Sequence, residues 1–144
     1  MPDHLIRLRG PWELRFSADS PSDARHATRI GLPADAIPED PLPITLSRRF
    51  GRPIRVSRTQ PCRLRCASVP GLLAIRLNGD PLFERPPEAA LATDPIELAI
   101  PGALRDRNLI EFTVLGLAAR LASPNTPWGS VVLVFPETDE SPSC

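Results

Sequence analysis

An all-β protein, a two-sheet antiparallel β-sandwich, is the fold class this sequence predicts. Three observations carry that expectation. Apolar residues recur at a period of two in short runs, the signature of half-buried strands. Turn formers separate those runs. Nineteen prolines, against a usual share of about 5%, forbid long helices and suit short strands joined by ordered loops. Seven or eight strands are expected, and two sheets about 10 Å apart with one shared core account for the alternation. The 144 residues suit a single domain, set here at 1–135, with a polar tail over 136–144 that reads as disordered.

The elements follow in chain order. Ile6, Leu8, Trp12, Leu14 and Phe16 share one parity, with Arg7, Arg9, Glu13 and Arg15 on the other. Gly10-Pro11 interrupts them, giving one kinked strand or two short ones, with Trp12 turned inward and its ring nitrogen on a backbone carbonyl. Residues 18–43 read as a long loop, with a capped helical turn over 24–27 and a strand at 28–32. Leu46 and Phe50 anchor a strand over 45–50, and Ile54 and Val56 pair as a short one in a polar crossing. Leu64 and Cys66 face inward at 63–67. The stretch 72–83 is the centre of the pattern: Leu73, Ile75 and Leu77 alternate, Asn78-Gly79 supplies a tight hairpin turn, and Pro81 keeps the return strand short or at an edge. Ile96, Leu98 and Ile100 form another alternating strand. Ile110, Phe112 and Val114 define the strand over 108–115. The span 117–121 is left open between strand and helical turn. Residues 128–135 are continuously apolar from Val131, which suggests a strand covered on both sides.

Charge and cysteine content narrow the function classes. Seventeen basic residues balance seventeen acidic ones, so bulk charge points to neither nucleic acid nor membrane. No Tyr is present, and Phe50 and Phe83 are not spaced as an exposed stacking pair. The N-terminus lacks the apolar run of a signal peptide, and no stretch approaches the roughly 20 apolar residues of a membrane span. Cys62, Cys66 and Cys144 form an odd set without a framework spacing, which suits a reducing, cytoplasmic setting. The four-residue step between Cys62 and Cys66 is not that of a metal site, and Cys66 reads as a small buried hydrophobe. Gly-rich phosphate loops, His-Glu-x-x-His and nucleophile elbows are absent from the sequence, so no cofactor is expected.

The basic residues are all Arg, and their distribution is uneven. Between Pro41 and Gly79 no acidic residue occurs, whereas Arg48, Arg49, Arg52, Arg55, Arg58, Arg63, Arg65 and Arg76 all do. Parity sends Arg49, Arg63, Arg65 and Arg76 outward, while Arg48 shares the inward face of Leu46 and Phe50. If those strands belong to one sheet, the four outward guanidinium groups form a positive patch for an acidic sugar or an acidic protein surface. Together with Asn78 at the hairpin tip they are the candidate ligand-binding residues. The bland alternative is composition bias on a solvated face, with the arginines paired to acidic loops of their own chain. Glu97 and Glu111 come nearest to a carboxylate pair across outward faces, and the plainer expectation for both is solvent exposure beside arginines.

The order of these pieces resembles a known family. A strand ending in Leu77-Asn78-Gly79, a Pro-Ile-Glu-Leu-Ala-Ile strand over 95–100, a turn with Leu104, and Asn108-Leu-Ile-Glu-Phe-Thr-Val114 resemble the N-terminal sugar-binding domain of the beta-galactosidase and beta-glucuronidase glycoside hydrolases. Trp12 and Trp128-Gly129 also stand where that domain often has such residues. The resemblance implies a galactose-binding-like jelly roll. It departs from the family after the hairpin, where the paired glycines are missing and Ala99 takes the place of an aspartate. It also puts that family's catalytic carboxylates on a separate barrel domain, outside this chain, so it implies no enzyme. Two readings follow: a non-catalytic carbohydrate-binding module, or a structural or protein-interaction jelly roll that has lost its sugar site. Oligomeric state is left open.

Overall fold

The alternation in the sequence becomes ten strands in a computed structural model that describes residues 4–16, 28–32, 43–52, 61–67, 69–89, 95–100, 104–115 and 128–135. The expected helical turn at 24–27, the short strand at Ile54 and Val56, the span 117–121 and the tail over 136–144 lie outside these residues. The strands are β1 (His4–Arg7), β2 (Trp12–Phe16), β3 (Thr28–Ile30), β4 (Ile44–Gly51), β5 (Arg63–Ala67), β6 (Leu72–Leu77), β7 (Asp80–Glu84), β8 (Ile96–Ala99), β9 (Arg107–Val114) and β10 (Ser130–Phe135). They form a four-stranded sheet in the order β1-β10-β5-β8 and a six-stranded sheet in the order β3-β2-β4-β9-β6-β7. Every pairing is antiparallel. The two-sheet jelly-roll β-sandwich is as expected.

Register lines the apolar positions up across the strands. In the large sheet Leu14, Leu46, Phe112, Ile75 and Phe83 stand opposite one another in a single row. The small sheet answers with Ile6, Leu133, Leu64 and Leu98. Both rows enter one core, so each side chain that alternation sends inward leaves water for an apolar layer. Trp12 and Phe112, both fully buried, meet at 5.2 Å between ring centroids. β10 lies inside the small sheet, and on it Val134 is buried as well as Val131, Leu133 and Phe135. The cover expected on both faces is met at Val134 and not at Val132, which is half-buried.

Two details differ from the sequence reading. The inward residue at the start of β6 is Leu72, fully buried, and Leu73 is only half-buried. Here β6 carries a bulge: Leu72 pairs with Val114 and Ala74 with Thr113, so Leu73 is the extra residue that shifts the parity. At the N-terminus the chain makes two short strands, one of the two alternatives read from the sequence, and the difference is that they belong to different sheets. It crosses over at residues 8–11, where the Gly10–Pro11 peptide bond is cis. Three hydrogen bonds hold this crossing: Leu8 N to Val131 O and Trp12 Nε1 to Leu8 O, each 2.9 Å, and Leu32 N to Arg9 O.

The hairpin turn is as the Asn-Gly pair predicts, with φ of 54° at Asn78 and 86° at Gly79. β7, carrying Pro81, is an edge strand. Below the turn lies Asn108, which has the inward parity of Ile110 and Phe112 and is the buried polar residue of the described core. Its Oδ1 accepts from Asn78 Nδ2 (3.2 Å) and Arg105 N (3.0 Å). Its Nδ2 donates to Arg105 O (2.8 Å) and Phe50 O (3.4 Å). All four hydrogen-bonding positions of the carboxamide are filled, which removes the penalty of burying it.

Cys62 and Cys66 are buried free thiols. Four residues along an extended chain span roughly 13 Å, too far to share a metal ion. Burial pushes the Cys62 thiol up to about 11, against a weaker opposing effect from a hydrogen bond with the Val134 backbone, and the Cys66 thiol up to about 12.

Three outcomes are expected. Phe112→Ala should cost about 3 to 5 kcal/mol in chemical denaturation, from lost burial plus the cavity left behind. A loss near the roughly 0.5 kcal/mol of a surface change would show that Phe112 is not core. Asn108→Ala should cost about 2 to 3 kcal/mol, because it strands the backbone groups of Phe50 and Arg105 and the Asn78 amide; stability at the wild-type level would exclude a structural role for the network. The thiols, protonated in the fold and ionising near 9.0 when exposed, should contribute their full stability below pH 9 and lose it as pH rises towards 11 to 12. In a Cys144→Ser background the melting temperature should therefore fall above pH 9, less so in a Cys62→Ala/Cys66→Ala variant. Equal slopes in the two proteins would contradict this.

Candidate functional site

Arginine placement follows from strand parity. Arg49, on β4, and Arg76, on β6, are exposed on the outer face of the six-stranded sheet, with β9 between them. Arg63 and Arg65 point outward from β5, in the four-stranded sheet. The outer faces of a sandwich look in opposite directions, so the four arginines do not form the single patch expected of a shared sheet. Alternation assigns a face correctly but says nothing of which sheet owns the strand.

Neighbouring carboxylates divide these charges further. Arg63 and Arg65 each reach Glu97 Oε1 at 3.6 Å, with Arg65 and Glu97 in register on β5 and β8. On the large sheet a row runs Arg29, Glu13, Ser47, Glu111, Arg76 across five strands, so each arginine at its ends stands opposite a glutamate. Of these, only the Arg63 and Arg65 contacts with Glu97 are ion pairs among the described residues; cross-strand pairs of opposite charge contribute about 0.2 to 1 kcal/mol each, and pairs this exposed lie at the lower end. Glu97 and Glu111 lie on different sheets and opposite faces, and form no catalytic pair.

Asn78 also departs from its expected role. Its backbone N–H donates to Leu109 O and its Oδ1 accepts from Leu109 N, both at 2.8 Å, while Nδ2 binds Asn108. The side chain extends the ladder between β6 and β9 and is committed to the fold.

Arg48 takes the inward position that parity assigns. It is half-buried, and its Nε is buried without a hydrogen-bond partner. Desolvation holds the guanidinium below its ordinary pKa.

A groove that the periodicity does not reveal lies at the crossing between the sheets. Arg9, Gly10, Pro11, Arg29, Ile30 and Gly31 line about 410 Å³ of open space. Its walls are held in place: Leu32 N binds Arg9 O, and a Cβ on Gly10 would come within 3.0 Å of Gly31 Cα and 3.2 Å of Ile30 O. Any side chain at Gly10 would push against this backbone, which would have to give by a few tenths of an ångström. Arg9 and Arg29 are exposed and have no ion pair among the described residues, since the Glu13 carboxylate opposite Arg29 is bonded to Arg15 at 3.5 Å. The sequence signal was Gly10-Pro11 beside Arg9, legible as a bend and not as a wall of a cleft.

No family model matches the chain, and no curated protein matches it. Solved structures do. A beta-D-glucuronidase from Dictyoglomus thermophilum superposes with a TM-score of 0.64 at 15% identity, covering 94% of this chain and 28% of its own. A beta-D-mannosidase from the same organism gives 0.63 at 12% identity, covering 92% and 22%. A GH2 beta-galacturonidase from Eisenbergiella tayi bound to galacturonate gives 0.59 at 16% identity, covering 94% and 25%. This chain spans less than a third of the length of each. At these identities the likeness is one of fold, and it bears out the fold implied by the sequence resemblance: a β-sandwich of the kind that makes up about a quarter of these glycosidases.

Proposed function

We propose that the chain is a non-catalytic β-sandwich module that binds carbohydrate. The observation that carries this reading is the match of nearly the whole chain to a minor part of several glycosidases. Hydrolysis by a carboxylate pair requires two groups roughly 5 to 9 Å apart around the bond. The two carboxylates that the sequence singled out, Glu97 and Glu111, face opposite ways, and Glu97 is engaged by two arginines. A reducing, cytoplasmic compartment suits the two buried free thiols.

A second reading, a structural or protein-interaction jelly roll, draws on a different face. On the outer side of the small sheet Leu5 is 49% exposed, and the half-buried Val132 lies between Arg7 and Arg65. That mixed apolar and basic surface suits an acidic protein partner.

A panel of neutral and acidic oligosaccharides, titrated against the purified chain, separates the readings. Saturable glycan binding without turnover of aryl-glycosides is the expected result. Absence of binding across the panel would remove the carbohydrate reading and leave the interaction module. Turnover that survives purification at constant specific activity would show that the chain is an enzyme.

A further inference from the structure

We propose that the groove between the sheet crossing and β3 is an anionic-sugar site, with Arg9 and Arg29 holding the carboxylate of a uronic acid residue. The inference rests on the carbohydrate reading above and adds to it a location and a ligand class. Charge complementarity selects the class. Two arginines and, among the described residues, no acidic residue line the groove, and each guanidinium can offer a fork of N–H donors matched to a carboxylate. Neither has an ion pair among the described residues, unlike Arg63 and Arg65, which share Glu97. Among the described residues, a ligand at the groove therefore has no salt bridge to displace.

The rest of the lining suits a sugar ring better than a bare ion. Exposed Pro11, with the part of Ile30 that is not packed on the core, supplies apolar surface against which the C–H face of a pyranose packs, while Gly10 and Gly31 leave backbone uncovered beside it. A volume of about 410 Å³ falls within the usual range of about 300 to 1,000 Å³ for small-ligand sites. The groove is also built before any ligand arrives. Leu8 is tied to β10, Arg9 O to Leu32, and Gly10 is packed on Gly31. A fixed backbone lowers the ordering cost of binding.

The test titrates the full chain with a galacturonate disaccharide, its uncharged galactose counterpart, acetate and inorganic phosphate. Three variants accompany it. Arg9→Gln/Arg29→Gln removes the charge. Gly31→Val fills the groove with both arginines kept: a Cβ at Gly31 meets only Arg9 O, at 3.9 Å, so the backbone need not move. Arg63→Gln/Arg65→Gln alters the opposite, self-paired cluster. The uronate disaccharide should bind at least about tenfold more tightly than the neutral one. Both groove variants should lose about tenfold or more at unchanged melting temperature, and the Arg63/Arg65 variant should keep wild-type affinity. Binding should weaken as salt rises from about 0.05 M to about 0.5 M. If the Gln pair does not fold, Arg9→Lys/Arg29→Lys keeps the charge without the planar fork and should still bind more weakly than wild type.

Several results would overturn the proposal. Uronate affinity undiminished in both groove variants would place the site elsewhere. Equal affinity for charged and neutral disaccharides, or acetate and phosphate binding as tightly as the uronate, would show that the groove does not read a carboxylate on a sugar. In the first two cases the carbohydrate reading survives without the groove. Failure of every saccharide to bind would remove both.

Discussion

The Asn108 carboxamide is the constraint on which one whole end of the sandwich depends. A buried amide with four partners is satisfied only when the end of β4, the turn before β9 and the tip of the β6–β7 hairpin all reach it together. Apolar contacts tolerate small slips, whereas an amide in a dry core does not. The register of three segments distant in sequence is thus fixed by a single side chain. Arg52 reinforces the same corner from outside, with its guanidinium 2.8 Å from Asp106 and its N–H on the Asp106 carbonyl. The hairpin tip that carries Asn78 and Gly79 is for this reason a joint of the fold.

A second constraint acts at the other transition, where the chain leaves the small sheet for the large one. Trp12 begins β2 with its ring in the core and its nitrogen on Leu8 O, so the residue that fills the centre also closes the turn that delivers it. Trp128 acts similarly, with Nε1 on Pro70 O at 2.7 Å, fixing the approach to β10 against the loop before β6. Each indole contributes apolar area with one end and a directional bond with the other. The groove at the crossing owes its shape to the first of these anchors and to the meeting of Gly10 with Gly31.

Much of the fold was legible because parity is a local property. Trp12, Leu46, Leu64, Ile75 and Phe112 all face inward as their neighbours predict, and the Asn78-Gly79 turn was plain from two residues. What failed was non-local. Sheet membership is decided by pairing between distant segments, so Arg63 and Arg49 could be assigned outward faces yet not a common one. The β6 bulge was hidden because Leu72 and Leu73 are both leucine, and either could begin the inward row. Asn108 carried a readable signal, a carboxamide at the parity of Ile110 and Phe112, which marks a buried polar group in need of partners. The groove had almost none, since a crossing segment and a three-residue strand are too short to show a period.

The pairing of β1 with β10 bears on how the chain is made. His4 lies opposite Phe135, so the first strand must wait for the last. At ordinary rates of synthesis that delay is on the order of ten seconds. All six strands of the large sheet have by then emerged from the ribosome, and the small sheet still lacks the strand that belongs between β1 and β5. Assembly is thereby ordered in time in both sheets: β9 must arrive before β4 and β6 are joined in the large sheet, and β10 follows as the inserted strand that joins β1 to β5 in the small one.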